Sequence, residues 1–273
     1  MAHLSRGRWQ VLVALTTALG MQSAPVRAET GREILDRARA LDDTTRKWTD
    51  RTQAMVLTIH DATGNQRRRE LRVFTKRGAP GEEKAISFFS APPEVKGTAF
   101  LQWSHASRDD EQWLYLPEFK RTRQISARLR DESFVGTDFT YRDLEILAEL
   151  ARWTEDEAPT EREGSETIDG KPCHRIALEP EQDGMPYGRI VLWLDEESLT
   201  ARKLDFYDQD GAQVKSLTLQ DIRDVGAIPT AHRLEMRSLG KGSRTVVELP
   251  EVKYDSGLAD ELFTQRYLER GAP

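Results

Sequence analysis

The sequence predicts a mainly β protein with a few helices, built as one large curved antiparallel sheet or an open barrel. Two observations predict it. From Met55 onward, short segments alternate apolar with polar residues, and the turns between them carry Gly, Asn and Asp. These segments are joined by loops too short for a crossover, so neighbours run antiparallel in a meander.

The elements follow in order. The first 28 residues have a basic start at Arg6 and Arg8, an apolar run from Val11 to Met21 and a small-residue exit at Val26-Arg27-Ala28. That is the pattern of a secretory signal peptide cleaved ahead of Glu29. The run is too short for a membrane span, and no later segment reaches the roughly 20 apolar residues a span needs. No Cys sits at the end of the signal, which argues against a lipid anchor, and Cys173 is the only cysteine, so an intramolecular disulfide is excluded. The mature chain then carries 37 basic and 46 acidic side chains, a net charge of -9 against -6 for the whole. An acidic total argues against a nucleic-acid partner. The expectation is a bacterial periplasmic protein with residues 29–273 as a single domain.

Ile34, Leu35, Ala38 and Leu41 have helical spacing, with Thr30 as N-cap and Glu33 as its capping-box partner. Met55, Leu57 and Ile59 share one strand face, Thr63-Gly64-Asn65 turns the chain, and Leu71 and Val73 return it. In the second half Leu204 and Phe206, Leu217 and Leu219, Leu234 and Met236, and Val247 and Leu249 each form a dry strand face opposite a charged one. Ile190 to Leu194 is apolar on both faces, which calls for a cover on its outer side. Residues 143–153, with Leu144, Leu147 and Leu150 at helical spacing, and the terminal 258–268 stretch are the candidates. Residues 154–166, acidic and without periodicity, read as an exposed connector.

The stretch from Lys96 to Leu144 is dense in aromatic, Gly and basic residues and poor in nucleophile, base and metal-ligand sets. His60, His105, His174 and His232 are scattered without the i, i+4 spacing of a zinc helix, and there is no Gly-x-Ser-x-Gly elbow. Asp205 to Gly211 lacks the terminal Glu of a calcium loop and reads as a hairpin turn. No catalytic residue, metal or cofactor is predicted; a binding surface is. Lys120, Arg121, Arg123, Arg128 and Arg130 put five cations within eleven residues of an acidic chain. They read either as a solvated face or as a docking site for anionic lipid headgroups or an acidic partner. Arg67, Arg68 and Arg69 read as protection of a hairpin edge. Gly136-Thr137-Asp138, between Phe134 and Phe139, reads as a tight turn, with Asp138 bonding to backbone N–H groups or an arginine; a lid or gating loop is the sharper alternative.

The segments Lys96-Gly97-Thr98-Ala99-Phe100-Leu101, Trp113-Leu114-Tyr115-Leu116-Pro117, Lys120-Arg121 and Ser133 to Tyr141 resemble the signature of the outer-membrane lipoprotein-sorting protein family, in its longer LolA-like branch. The shorter carriers of that fold lack the Gly-Thr-Asp-Phe-Thr-Tyr block. The resemblance implies a strongly curved antiparallel sheet, a half-open β-barrel whose concave side helices close over an apolar cavity. It implies a carrier that binds lipid or lipoprotein acyl chains and passes them between membranes, with transient membrane-surface contact. Phe100, Leu101, Trp103, Trp113, Tyr115, Leu116, Phe134, Phe139 and Tyr141 would then line the ligand site, aromatic rings offering large apolar area at small entropic cost. The longer branch is associated with inner-membrane export pumps of the resistance-nodulation-division superfamily. The alternative is a non-carrier accessory subunit that docks on such a pump and uses its apolar interior only as core.

Overall fold

The computed structural model of the protein describes residues 28–106, 108–182 and 184–270. The expected signal peptide therefore lies outside the described residues, apart from Ala28. Thirteen strands form one antiparallel sheet. The first six are β1 (Asp50–His60), β2 (Gln66–Arg77), β3 (Glu83–Ala91), β4 (Ala99–Ser104), β5 (Glu111–Leu116) and β6 (Arg121–Gln124). After an interlude of helical turns come β7 (Thr160–Ile168), β8 (Lys171–Leu178), β9 (Tyr187–Asp195), β10 (Ala201–Asp208), β11 (Gln213–Val225), β12 (Ile228–Ser238) and β13 (Ser243–Tyr254). Both halves are meanders, and β1 pairs with β13 to join them, so that β6 and β7 are the two free edges.

Curvature follows from packing. Phe100 of β4 and Ile190 of β9 are eight strands apart in the sheet, about 38 Å if it were flat, yet both belong to one apolar core. The inner face supplies Leu57, Leu71, Phe89 and Leu114 from the first half. From the second it takes Ile176, Leu192, Leu204, Phe206, Leu217, Met236, Val247 and Leu249. The alternation read from the sequence sets this face strand by strand. The sheet is the expected half-open barrel, antiparallel and unclosed.

The first helix, α1 (Gly31–Asp43), carries the expected capping box: Thr30 Oγ1 accepts from Glu33 N, and Glu33 Oε2 accepts from Thr30 N at 2.7 Å. Ile34 and Leu35 seat it on the inner core, against β7. Residues 160–168 are thus a strand and not part of a connector. As an edge strand with mostly exposed side chains, β7 lacks the apolar alternation that marks the others. Arg67 and Arg68 lie at a local edge, because β3 stops with Ala91 opposite Glu70 and leaves the start of β2 paired with β1 alone.

The outer face is covered unevenly. A 3-10 turn, Asp260–Phe263, and the short helix α3 (Gln265–Arg270) pack Leu262, Phe263 and Leu268 against Phe74, Ile86, Phe88, Leu101 and Trp113. This strap is tied at its root by Asp50, whose carboxylate accepts the N–H groups of Ser256, Gly257 and Leu258 at 2.7 to 3.1 Å. Among the described residues, no helix packs on the outer side of β9. Val191 and Trp193 are shielded by Cys173, Ala177 and Tyr207. Lys203 and Arg175 lie over the Trp193 ring at 4.4 and 5.6 Å, and Glu166 accepts its Nε1–H. Long basic stems on neighbouring strands supply the cover that the sequence assigned to a helix. Of the two candidate covers, the terminal one serves the other half of the sheet and residues 143–153 lie inside it.

Phe263 is 1% exposed and its carbonyl accepts the Trp103 Nε1–H at 2.9 Å. Phe263→Ala is expected to cost about 3–5 kcal/mol, read as a lower urea midpoint with red-shifted tryptophan emission. An unchanged midpoint would mean that the strap contributes nothing to the fold.

Candidate functional site

The chain between β6 and β7 fills the hollow of the sheet. It runs through a turn at Phe134–Gly136, the helix α2 (Tyr141–Glu149) and a final 3-10 turn, Leu150–Arg152. Ser133 and Thr140 form a bridge that closes the intervening loop, and Phe134 N donates to Phe139 O at 2.7 Å. Val135 and Gly136 both have positive φ, 48° and 73°; a left-handed pair turns the chain back within two residues, at low cost only for the glycine. Thr140 caps α2 in a second capping box, with Asp143 as its partner. Phe134, Phe139, Tyr141, Ile146, Leu150 and Trp153 then point into the inner core. The Phe134 ring lies 5.1 Å from Phe100 and 5.6 Å from Tyr141, both edge-on.

Polar contacts hold this plug in three places. At the turn, Asp138 is 5% exposed and accepts from Thr245 Oγ1 at 2.7 Å and from Ser243 Oγ, both on β13, while its own N–H donates to Thr245 Oγ1. The expected arginine or backbone partners are replaced by two hydroxyls. In the middle, the fully buried Asp143 accepts from Tyr187 Oη at 2.7 Å and from Lys215 Nζ at 2.5 Å. Burial, reinforced by the Asp143 charge, holds the Tyr187 phenol far above its ordinary range. On the far side of α2, Glu145 lies 3.1 Å from Arg130 Nε and 3.0 Å from Arg142 Nη1. Desolvation outweighs both arginines and pushes its carboxyl up to about 7, and Glu149, half-buried beside Asp110, is pushed up to about 8 by desolvation and the Asp110 charge. The end of the plug is tied to α1: Arg32 donates to Trp153 O at 2.6 Å, and Arg39 to Ala151 O at 3.0 Å.

The structure divides the site residues expected from the sequence. Phe100, Leu116, Phe134, Phe139 and Tyr141 meet on the inner side around the plug. Leu101, Trp103, Trp113 and Tyr115 do not line that space; they face outward under the terminal strap. The cause is the two-residue period of a strand, which sends Phe100 and Leu101 to opposite faces. The cationic cluster also divides. Lys120, Arg121, Arg123 and Arg128 are exposed, whereas Arg130 turns inward to Glu145 and to Asp110 O at 2.9 Å. Gly136 and Asp138 both belong to the turn. Ser243, Thr245, Tyr187, Lys215, Asp143, Glu145 and Glu149 complete the latches and were not singled out; only the Thr140–Asp143 capping spacing signalled any of them.

An open hollow of about 680 Å³ lies at the foot of β5 and β6, lined by Arg108, Asp109, Asp110, Glu111, Gln124, Ile125, Ser126, Ala127 and Arg130. Its charged lining is unsuited to an acyl chain. Among the described residues no His, Cys, Asp and Glu cluster has metal-site geometry, and no helix is long and apolar enough to cross a membrane.

A protein-family model described as "Uncharacterized protein" matches residues 81–270. No curated protein matches the chain in sequence. Among solved structures, a domain assigned as an outer membrane lipoprotein-sorting protein from Vibrio parahaemolyticus is 28% identical with a TM-score of 0.79, over 87% of this chain and 97% of that one. A DUF1329 family protein from Desulfovibrio piger is 27% identical with the same TM-score and the same coverage. A LolA superfamily protein from Nitrosomonas europaea, 18% identical over 87% of this chain and 99% of its own with a TM-score of 0.64, shares the fold.

Two predictions concern the latches. Asp138→Ala leaves two hydroxyls without their acceptor and is expected to favour release of the turn by about 1–3 kcal/mol, seen as faster amide exchange over residues 133–141 with β13 still protected. Unchanged exchange would remove the latch role. The second is a pH dependence. A carboxyl raised from 4.5 to about 7 favours the closed plug fully below pH 4.5, and that contribution is lost as pH rises through about 7; for Glu149 the loss extends to about 8. After correction for intrinsic rates, exchange over residues 141–152 should be faster at pH 8 than at pH 5.5. Glu145→Gln should flatten part of the difference, and Glu145→Gln with Glu149→Gln the rest, Glu149 carrying the larger share.

Proposed function

The chain belongs to the family whose model spans residues 81–270, with lipoprotein-sorting and LolA superfamily proteins as its relatives of known structure, and from that premise we propose that it is a non-catalytic carrier for a hydrophobic ligand. The ligand class is lipid or lipoprotein acyl chains, bound on the inner face of the sheet and passed between membranes or membrane complexes across the periplasm. The whole mature chain acts as one carrier domain, exported by the N-terminal signal.

One observation carries the reading: the inner apolar face is covered by residues 133–153, a cover that can leave without breaking a strand pair. Its six apolar side chains are worth about 1.5–3 kcal/mol each when buried, and a sixteen-carbon acyl chain gains about 0.8 kcal/mol per methylene, so both totals are on the order of 10 kcal/mol. An acyl chain can therefore replace the plug at little net cost, which is what loading and release require. Phe100, Leu116, Phe134, Phe139 and Tyr141 are the residues we assign to the ligand or to the plug that stands in its place. The exposed Lys120, Arg121, Arg123 and Arg128 are assigned to docking, on anionic headgroups or on the acidic surface of a partner such as an inner-membrane export pump.

Native mass spectrometry, with lipid extraction, of mature protein purified without detergent tests this. The expected outcome is a stoichiometric lipid or lipopeptide, and uptake of a fluorescent fatty acid by stripped protein with loss of exchange protection in residues 133–153. A clean apo mass with no uptake would leave the accessory subunit docking on an export pump as the surviving reading.

A further inference from the structure

The sheet has two ends, and they differ. Strand registers place the turns 61–65, 92–98, 117–120 and 239–242 together at one end. The plug turn opens toward the same end, because Asp138 bonds Ser243 and Thr245 at the first residues of β13. Two of the large apolar side chains exposed in the protein sit at this rim, each at a hairpin tip: Phe119, 60% exposed, between β5 and β6, and Leu239, 46% exposed, between β12 and β13. Each is followed by a base. Lys120 and Arg121 follow Phe119, Lys241 stands two residues after Leu239, and Lys96 lies on the turn between them; all four are exposed. Glu94 and Glu118 are the exposed acids of those three turns, leaving the bases in excess in a protein of net charge -6. The tips are six strand spacings apart in the sheet, roughly 29 Å along its arc, so they contact a surface at two separated points.

We propose that this rim seats the protein on a membrane surface rich in anionic phospholipid, with Phe119 and Leu239 entering the headgroup layer and Lys96, Lys120, Arg121 and Lys241 meeting lipid phosphates. Aromatic and aliphatic tips flanked by bases suit that boundary: the apolar group gains burial among acyl chains, and each base near an anionic leaflet adds attraction that salt screens. The bases outnumber the acids on the three turns that hold or lie between the tips, whereas the turns 179–186 and 209–212 at the same end carry the exposed acids Glu179, Glu181 and Asp210; that asymmetry favours approach by the half of the rim from Phe119 to Leu239. This assignment rests on the carrier reading for its purpose but not for its evidence.

Co-sedimentation of the mature protein with phosphatidylethanolamine–phosphatidylglycerol vesicles tests it. Partition is expected to fall about tenfold for Phe119→Ser or Leu239→Ser. It should fall further for the pair, weaken with added salt and with Lys120→Glu and Lys241→Glu, and be absent on phosphatidylcholine vesicles. Both tips are exposed, so an unchanged urea midpoint certifies the variants as folded. Partition unaffected by the double tip variant would overturn the proposal, as would failure to bind anionic vesicles by protein that still takes up a fluorescent fatty acid. The latter result leaves the carrier reading standing. Tip-dependent vesicle binding without fatty-acid uptake supports the rim and sinks the carrier instead.

Discussion

A sheet of thirteen antiparallel strands that never closes on itself must have its inner apolar face covered by something else, and most of this structure is a response to that constraint. Rolling the sheet brings β4 and β9 toward one core but leaves a trough between the free edges β6 and β7. The segment joining those two edges is the one placed to fill it. Residues 125–159 run from β6 to β7, so the shortest route between them passes through the trough, and α2 lies on that route. The outer face poses the same demand where Phe74, Phe88, Leu101 and Trp113 point away from the core, and the terminal strap meets it.

The two covers are attached differently, and the difference suits different tasks. The strap is fixed by backbone N–H groups converging on the Asp50 carboxylate and by the bond from Trp103 to Phe263. The plug's carbonyls are held at Tyr141, Ala151 and Trp153 by side chains of other elements, but its carboxyls are met by side chains. Asp138, Asp143 and Glu145 each bring a buried carboxyl into the interior, where satisfying it takes hydroxyls or bases from the sheet or the adjoining loop. Buried charge pairs of this kind add little net stability, because desolvation offsets their attraction, but they penalise any arrangement that leaves them unpaired. They specify one closed position without making it deep. Arg32 and Arg39 hold the final turn of the plug on α1, so release of residues 133–153 has to break these bonds as well as the carboxyl latches.

Much of the fold was legible in the sequence because its signals are local. The capping box at Thr30 and Glu33, the first hairpin and the alternation through Leu204, Leu217, Leu234 and Val247 each depend on residues a few positions apart. Two strand-level departures have separate causes, one distant in the chain and one local. Leu101 and Trp113 were pooled with Phe100 because the terminal strap, which makes an outer apolar face necessary, lies some 150 residues away. β7 was missed because an exposed edge strand has no apolar period to show. The latches were illegible for a different reason: Asp138 meets Thr245 across 107 positions and Asp143 meets Lys215 across 72. Their residue types, Ser, Thr, Asp and Lys, are those of any solvated turn, and only burial distinguishes them.

Under the proposed carrier function, cover and cargo are worth similar amounts, and such poise would hand control to small terms. With both near ten kcal/mol on the scale of apolar burial, a bias of one or two kcal/mol decides whether the trough holds plug or ligand, since 1.4 kcal/mol is a tenfold change in the ratio. The latches are of that size. Asp138 is the one nearest the open rim, sharing its end of the sheet with the exposed tips at Phe119 and Leu239, whereas Glu145 answers to Arg130 and Arg142 at some remove from it. A surface that engages the rim therefore acts first on the Asp138 turn, and the protonation of Glu145 and Glu149 acts on the helix behind it. On the proposed carrier reading, loading and release would need no large rearrangement of the sheet, only two independent small biases on one segment.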